Sequence, residues 1–123
     1  MSHRIDREPA SDQELARRKE AMQSAGQKFL KEHPEVIVCV YVGSALKVVD
    51  PGDTDIVIIA EPNFIKTREE VDSDLWFGFS AVGLPHPDTF EVVKVRPESM
   101  VTIDNLERLL PENCPYGLFP VVR

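Results

Sequence analysis

The stretch YVGSALKVVDPGDTDIVIIA, residues 41 to 60, contains the end of one apolar run, a turn, and the start of a second run headed by two aspartates. Pro51-Gly52 is a turn signal, and DTDIVIIA after it is rich in β-branched residues, which predicts strand, turn, strand. Side chains alternate along a strand, so Asp53, Asp55, Val57 and Ile59 share one face while Thr54, Ile56 and Ile58 share the other. Two acids therefore open an otherwise apolar face. Neighbouring carboxylates repel unless a cation sits between them, and a divalent metal is the economical explanation. The alternative for Asp53 is a turn residue whose carboxylate bonds nearby backbone amides, leaving Asp55 as a single edge acid. Gly43-Ser44, where the first run stops, adds a second chemistry. A glycine lets backbone approach a ligand closely, and the following amides with a serine hydroxyl can hold phosphate oxygens.

Outward from this stretch the hydrophobic period changes. Leu15, Met22, Ala25 and Phe29 recur at helical spacing, which predicts a helix from Asp12 to about Glu32, capped by Ser11 or Asp12 and closed before Pro34. Arg17, Arg18 and Lys19 fall mostly off that stripe, as a solvated face or a basic binding patch. The run VIVCVYV, residues 36 to 42, is apolar on both faces and belongs in the middle of a sheet. Thr67 and Glu70 form a capping-box pattern ahead of a helix carrying Val71, Leu75 and Trp76. GLPHPD then reads as a loop, TFEVVKV as a third strand, and DNLERLL from Asp104 as a capped last helix. The order α-β-β-α-β-α implies an α+β fold, a mixed sheet flanked by helices, in a single domain over residues 11–123 behind a flexible stretch 1–10.

Composition sets the outer bounds. The 123 residues suffice for one core, and 42% apolar with 28% charged residues marks a globular chain. A net charge of −7 excludes a general DNA-binding coat, because binding along a phosphate backbone is driven by cations. Cys39 and Cys114 have no zinc or disulfide spacing, which fits a reducing cytoplasm, and no apolar run is long enough for a membrane span. The apolar end CPYGLFPVVR, residues 114 to 123, lacks helical period and has to cover either its own sheet or a second copy in a homodimer. His3, His33 and His86 have no partner visible in sequence. Trp76, Phe77 and Phe79 serve either as core or as a surface on which a base stacks.

The combination of a strand ending in Gly43-Ser44, a short excursion and acids heading the next strand resembles the nucleotidyltransferase superfamily, which includes DNA polymerase beta, the CCA-adding enzymes and the minimal nucleotidyltransferases of toxin–antitoxin pairs. The resemblance runs from the first helix to about Val95. It implies that three acids hold Mg2+, that the Gly-Ser turn holds a nucleoside triphosphate, and that a nucleotide is transferred to a protein or RNA hydroxyl. Phosphoryl chemistry of this kind depends on metal clamps and positioning. Glu91, between Phe90 and Val92, stands in the place of the third acid, and Lys47 is placed to reach a phosphate. Two overlays stay open for the acid pair. With ten residues, Ala45 to Thr54, after Gly-Ser, TDIV overlays Ser-Asp-Ile-Asp and Val57 stands where the second acid would be. With eight residues, Ala45 to Gly52, the pair is Asp53 and Asp55.

Three functions follow. The chain is a nucleotidyltransferase using Asp53, Asp55 and Glu91; or a catalytically inactive module of that fold that binds a nucleotide or a protein; or a calcium-type acidic loop in which Asp50, Asp53 and Asp55 supply oxygens. In the last case Gly52 precedes Asp53 and Asp55, where an EF-hand has its glycine after such a pair.

Overall fold

A strand apolar on both faces has to lie inside a sheet, and Val36–Val42 (β1) does. It runs antiparallel to Asp53–Ala60 (β2) on one side and to Leu118–Val122 (β4) on the other. β2 pairs in parallel on its outer side with His86–Lys94 (β3), giving one four-stranded mixed sheet in the order β3-β2-β1-β4. This computed structural model describes residues 8–96, 105–110 and 117–123. The architecture is α+β, as the alternation of periods implies.

A parallel pair cannot be joined by a tight turn, and the chain makes the crossover from β2 to β3 through the helix Arg68–Ala81 (α2). Its start is fixed by the capping box: Thr67 Oγ1 accepts from the Glu70 amide at 3.2 Å and Glu70 Oε1 accepts from the Thr67 amide at 2.8 Å. The first helix, Asp12–Glu32 (α1), is capped by Ser11, whose Oγ accepts from the Glu14 amide at 3.1 Å. Both helices pack on the face of the sheet carrying Cys39, Tyr41, Ile56, Ile58 and Ala60, together with Met22, Phe29, Val71 and Phe79. Gly26 lets α1 come close to β4, since a Cβ there would lie 3.0 Å from Val121. The opposite face buries Val38, Val40, Val42, Val57 and Ile59 with Leu106. Val57 is thus a fully buried core residue. Among the described residues no helix is long and apolar enough to cross a membrane.

Two expectations are corrected, and the C-terminal run takes the first of its two alternatives. The segment read as a last helix forms a one-turn 3-10 helix, Leu106–Leu109, among the described residues; Asp104 lies outside them. The C-terminal run forms β4, whose pairing with β1 covers this chain's own sheet, although Cys114 lies outside the described residues. Pro120 hides this strand from a reading by period, and a proline is tolerated there because β4 is an edge strand. The third strand begins at His86 rather than Thr89, again with a proline, Pro87, on an edge strand.

Arg18 is neither a solvated residue nor part of a basic patch. Its side chain is 5% exposed, and its guanidinium donates to the carbonyl oxygens of Ala45, Val48 and Val49 and to Glu14. It therefore ties α1 to the loop that follows Gly43-Ser44. Bonds from Arg17 and Arg18 hold the Glu14 carboxyl well down, at about 2. The same loop is stitched from the other side, where the Ala10 amide donates to Lys47 O at 2.7 Å and the Val49 amide to Glu8 O at 2.8 Å. Residues 1–7 of the expected flexible stretch lie outside the described residues.

Replacing Arg18 by Met keeps an apolar stem but removes all of these charge-assisted bonds. Thermal or urea unfolding should show a loss of about 2–4 kcal/mol. An unchanged stability would mean that water satisfies the loop carbonyls without Arg18.

Candidate functional site

The open end of the sheet is where β1 finishes and β2 and β3 begin. Antiparallel pairing sets Val42 opposite Asp55, and parallel pairing sets Asp53 opposite His86 and Asp55 opposite Asp88. Residues paired across a sheet point to the same face, so Asp53, Asp55 and Asp88 converge. One carboxylate oxygen from each lies within 4.8 Å of the others. An octahedral Mg2+ bonds oxygen at about 2.0–2.1 Å, so oxygens on opposite sides of it stand about 4.2 Å apart. Three oxygens on one such ion include at most one opposite pair, the others standing about 2.9 Å apart, so the aspartates have to close by up to about 2 Å to hold a divalent cation, and their donor set, all carboxylate oxygen, suits a hard ion.

The electrostatics agree with the geometry. Partial burial, followed by the repulsion of Asp53 and Asp88, pushes the Asp55 carboxyl up to about 6. A bound cation would reverse that balance by placing positive charge among the three. Gly43 belongs to the same construction. It has φ +87°, a conformation that side chains disfavour, and a Cβ on it would overlap Asp55 Oδ2. Only a glycine lets the strand end this close to the acid. Ser44 opens a 3-10 turn, Ser44–Leu46, and is buried, with its Oγ donating to Pro51 O at 3.4 Å. Lys47 follows the turn and is exposed, and its amide bonds back to Ser44 O.

Not all of the expected residues meet here. Asp53 and Asp55 belong to the cluster, whereas Glu91 does not and Asp88 stands in its place. The physical reason is register. A bulge between Ile56 and Val57 leaves Phe90 unpaired, and Glu91 comes opposite Val57, further along an exposed edge. Asp50, the other acid of the calcium-type loop, is exposed and outside the cluster, whose members come from two strands rather than one loop. Asp88 escapes a reading by period because the two prolines of GLPHPD mask the start of a strand. The signal that marks it is the alternation His86, Asp88 against Pro87, Thr89, of which the second pair is buried.

Comparison with protein-family models, with curated proteins and with solved structures finds no match to this chain.

The Asp55 carboxyl gives a pH test. Its folded value lies above the unfolded value of about 3.9, so the native state holds the extra proton in between. The stability from that proton is present in full below about pH 4 and is lost as pH rises through about 6. In chelator, wild type minus Asp55→Asn should lose about 1 kcal/mol of stability between those values, solvent screening of a part-exposed group being allowed for. A difference that does not change with pH would remove the repulsion argument.

Proposed function

We propose that this chain binds a nucleoside triphosphate through Mg2+ held by Asp53, Asp55 and Asp88, and transfers the nucleotide to a protein or RNA hydroxyl. The observation that carries the reading is the third carboxylate: Asp88 completes, on the strand next to β2, a set that the sequence stretch 41–60 left at two. With Asp53 and Asp55 as the pair, the shorter overlay on the nucleotidyltransferase pattern applies, and Val57 is the core residue that follows the pair rather than a lost ligand.

The residues take roles that the chemistry requires. Asp53, Asp55 and Asp88 hold the cation, which would neutralise charge on the triphosphate and orient its α-phosphate. Gly43 lies against Asp55, and the amides that open the turn after it, at Ser44 and Ala45, would be the donors for phosphate oxygens, those of Leu46, Lys47 and Val48 being bonded back to Gly43 and Ser44. The acceptor oxygen forms a bond to the α-phosphorus, the bond from that phosphorus to the bridging oxygen breaks, and pyrophosphate leaves with the electron pair. The hydroxyl proton passes to a carboxylate of the cluster. Arg18 acts at one remove, by fixing the carbonyls of the loop that carries the turn.

The test couples binding to stability. Mg–ATP at a hundredfold excess over its dissociation constant should stabilise the fold by about 2.7 kcal/mol, read as a rise in melting temperature. Asp55→Asn and Asp88→Asn should each abolish that rise, while Glu91→Gln leaves it in place. Incubation with ATP labelled at the α-phosphate should then transfer label to protein or RNA. Magnesium-dependent binding without transfer in the presence of acceptors would identify the inactive module instead. Stabilisation by Ca2+ alone, with no response to nucleotide, would contradict the reading.

A further inference from the structure

The edge strand β3 carries three devices that keep an edge from pairing at random: Pro87 near its start, the bulge at Phe90 and Lys94 at its end. They leave one short stretch open, residues 90–94. The Val95 amide donates to Ala60 O at 2.8 Å, so by the alternation of a strand the backbone groups of Glu91 and Val93 face β2 and those of Val92 and Lys94 face outward. Among the described residues no strand lies beyond that edge.

Beside the open stretch runs a groove of about 380 Å³ between the start of α2 and β3. It lies on the helix side of the sheet, since Val92, one of its lining residues, packs against the core under the helices. Its lining carries three cations, Lys66, Arg68 and Lys94, against one acid, Glu91, in a chain whose net charge is −7. Lys66 Nζ is already paired with Asp74 Oδ2 at 3.0 Å, but Arg68 and Lys94 form no ion pair among the described residues. Arg68 donates to Phe90 O at 3.0 Å, which holds its guanidinium on the edge itself.

Two features therefore coincide, outward backbone groups and uncompensated positive charge. The first calls for an extended chain and the second decides which one. Acids at alternate positions of that chain meet Arg68 and Lys94 on the helix side. Its other side chains lie beside Glu91 and Val93, which point to the opposite face as the register partners of Val57 and Ile59, and acids there would be repelled. A second copy of this chain pairing through the same edge would bring two sets of cations together.

We propose that residues 90–94 receive an extended segment of an acidic partner protein as an added strand, with acids and uncharged residues alternating along it. Backbone bonds supply the affinity, and the cations select the partner and its register. The proposal stands apart from the metal–triphosphate reading and needs no part of it.

The probe is a fluorescent peptide of alternating Glu and Thr, about six residues long, the usual length of a strand. Its polarisation is read against the full chain, with a Lys-Thr peptide as control, and amide hydrogen exchange is followed by NMR. The acidic peptide should bind saturably, the basic one should not, and exchange should slow at the Val92 and Lys94 amides while that of Val93, already turned to β2, stays as it was. Lys94→Glu should weaken binding about threefold to thirtyfold, whereas Lys28→Glu, the same charge change on α1, leaves it in place. If Lys94→Glu does not fold, Lys94→Gln should weaken binding in the same direction by a smaller factor. Absence of saturable binding, equal binding of the basic peptide, or binding without protection of Val92 and Lys94 overturns the proposal. Protection of those amides without peptide, in a chain that runs as a dimer, also overturns it and makes a second copy the occupant.

Discussion

Parallel pairing of β3 with β2, in the register that sets Asp88 beside Asp55, is the constraint on which the rest of the structure depends. It requires a crossover, so α2 must lie across the sheet, and it leaves the starts of β2 and β3 together at the open end. The bond network of Asp72 helps to fix that register from α2: Asp72 Oδ1 accepts from the Thr89 amide at 2.7 Å and from the Thr89 hydroxyl. One residue from Asp88, this pins the edge strand from below while its other face carries the acid. A slip of one residue would turn Asp88 away and bury it against the helices.

The face that carries the acids shows how sharply the sheet changes character. Asp53 and Asp55 are part-exposed, whereas Val57 and Ile59, on the same face of the same strand, are fully buried. Nothing in that arrangement favours stability in a metal-free protein. Partial burial and the closeness of the other two carboxylates weaken Asp55 as an acid, and Gly43 adopts a disfavoured conformation to make room. Local costs of this kind, maintained by an otherwise well-satisfied fold, are typical of sites selected for binding. Arg18, the capping box of Thr67 and Glu70, and the buried Tyr41 hydroxyl, which donates to Met22 O at 2.9 Å, are the satisfied interactions that offset them.

Much of this is legible in the order of residues alone. Two-sided apolar runs mark β1 and β2 as inner strands, helical spacing marks α1, and a capping box marks the start of α2. Asp53 and Asp55 stand out because alternation places them on a face otherwise apolar. What a linear pattern cannot carry is pairing. Asp88 becomes a neighbour of Asp55 only through register between strands thirty-odd residues apart in the chain, and a bulge at Phe90 is what moves Glu91 past the site. Prolines hide both edge strands, since Pro87 and Pro120 read as loop by propensity and are tolerated only because each strand has an open edge. Arg18 escapes for a similar reason: its acceptors lie in a loop about thirty residues away, and a helix-face pattern cannot show them.

The central claim is that Asp53, Asp55 and Asp88 form one cation site beside Gly43. The most direct measurement is a crystal structure grown with Mn2+ in place of Mg2+, located by its anomalous scattering. The account predicts a peak bonded to an oxygen of each of the three aspartates at the open end of the sheet. A well-ordered map with Mn2+ bound elsewhere, or with Asp88 turned away from the ion, would contradict it.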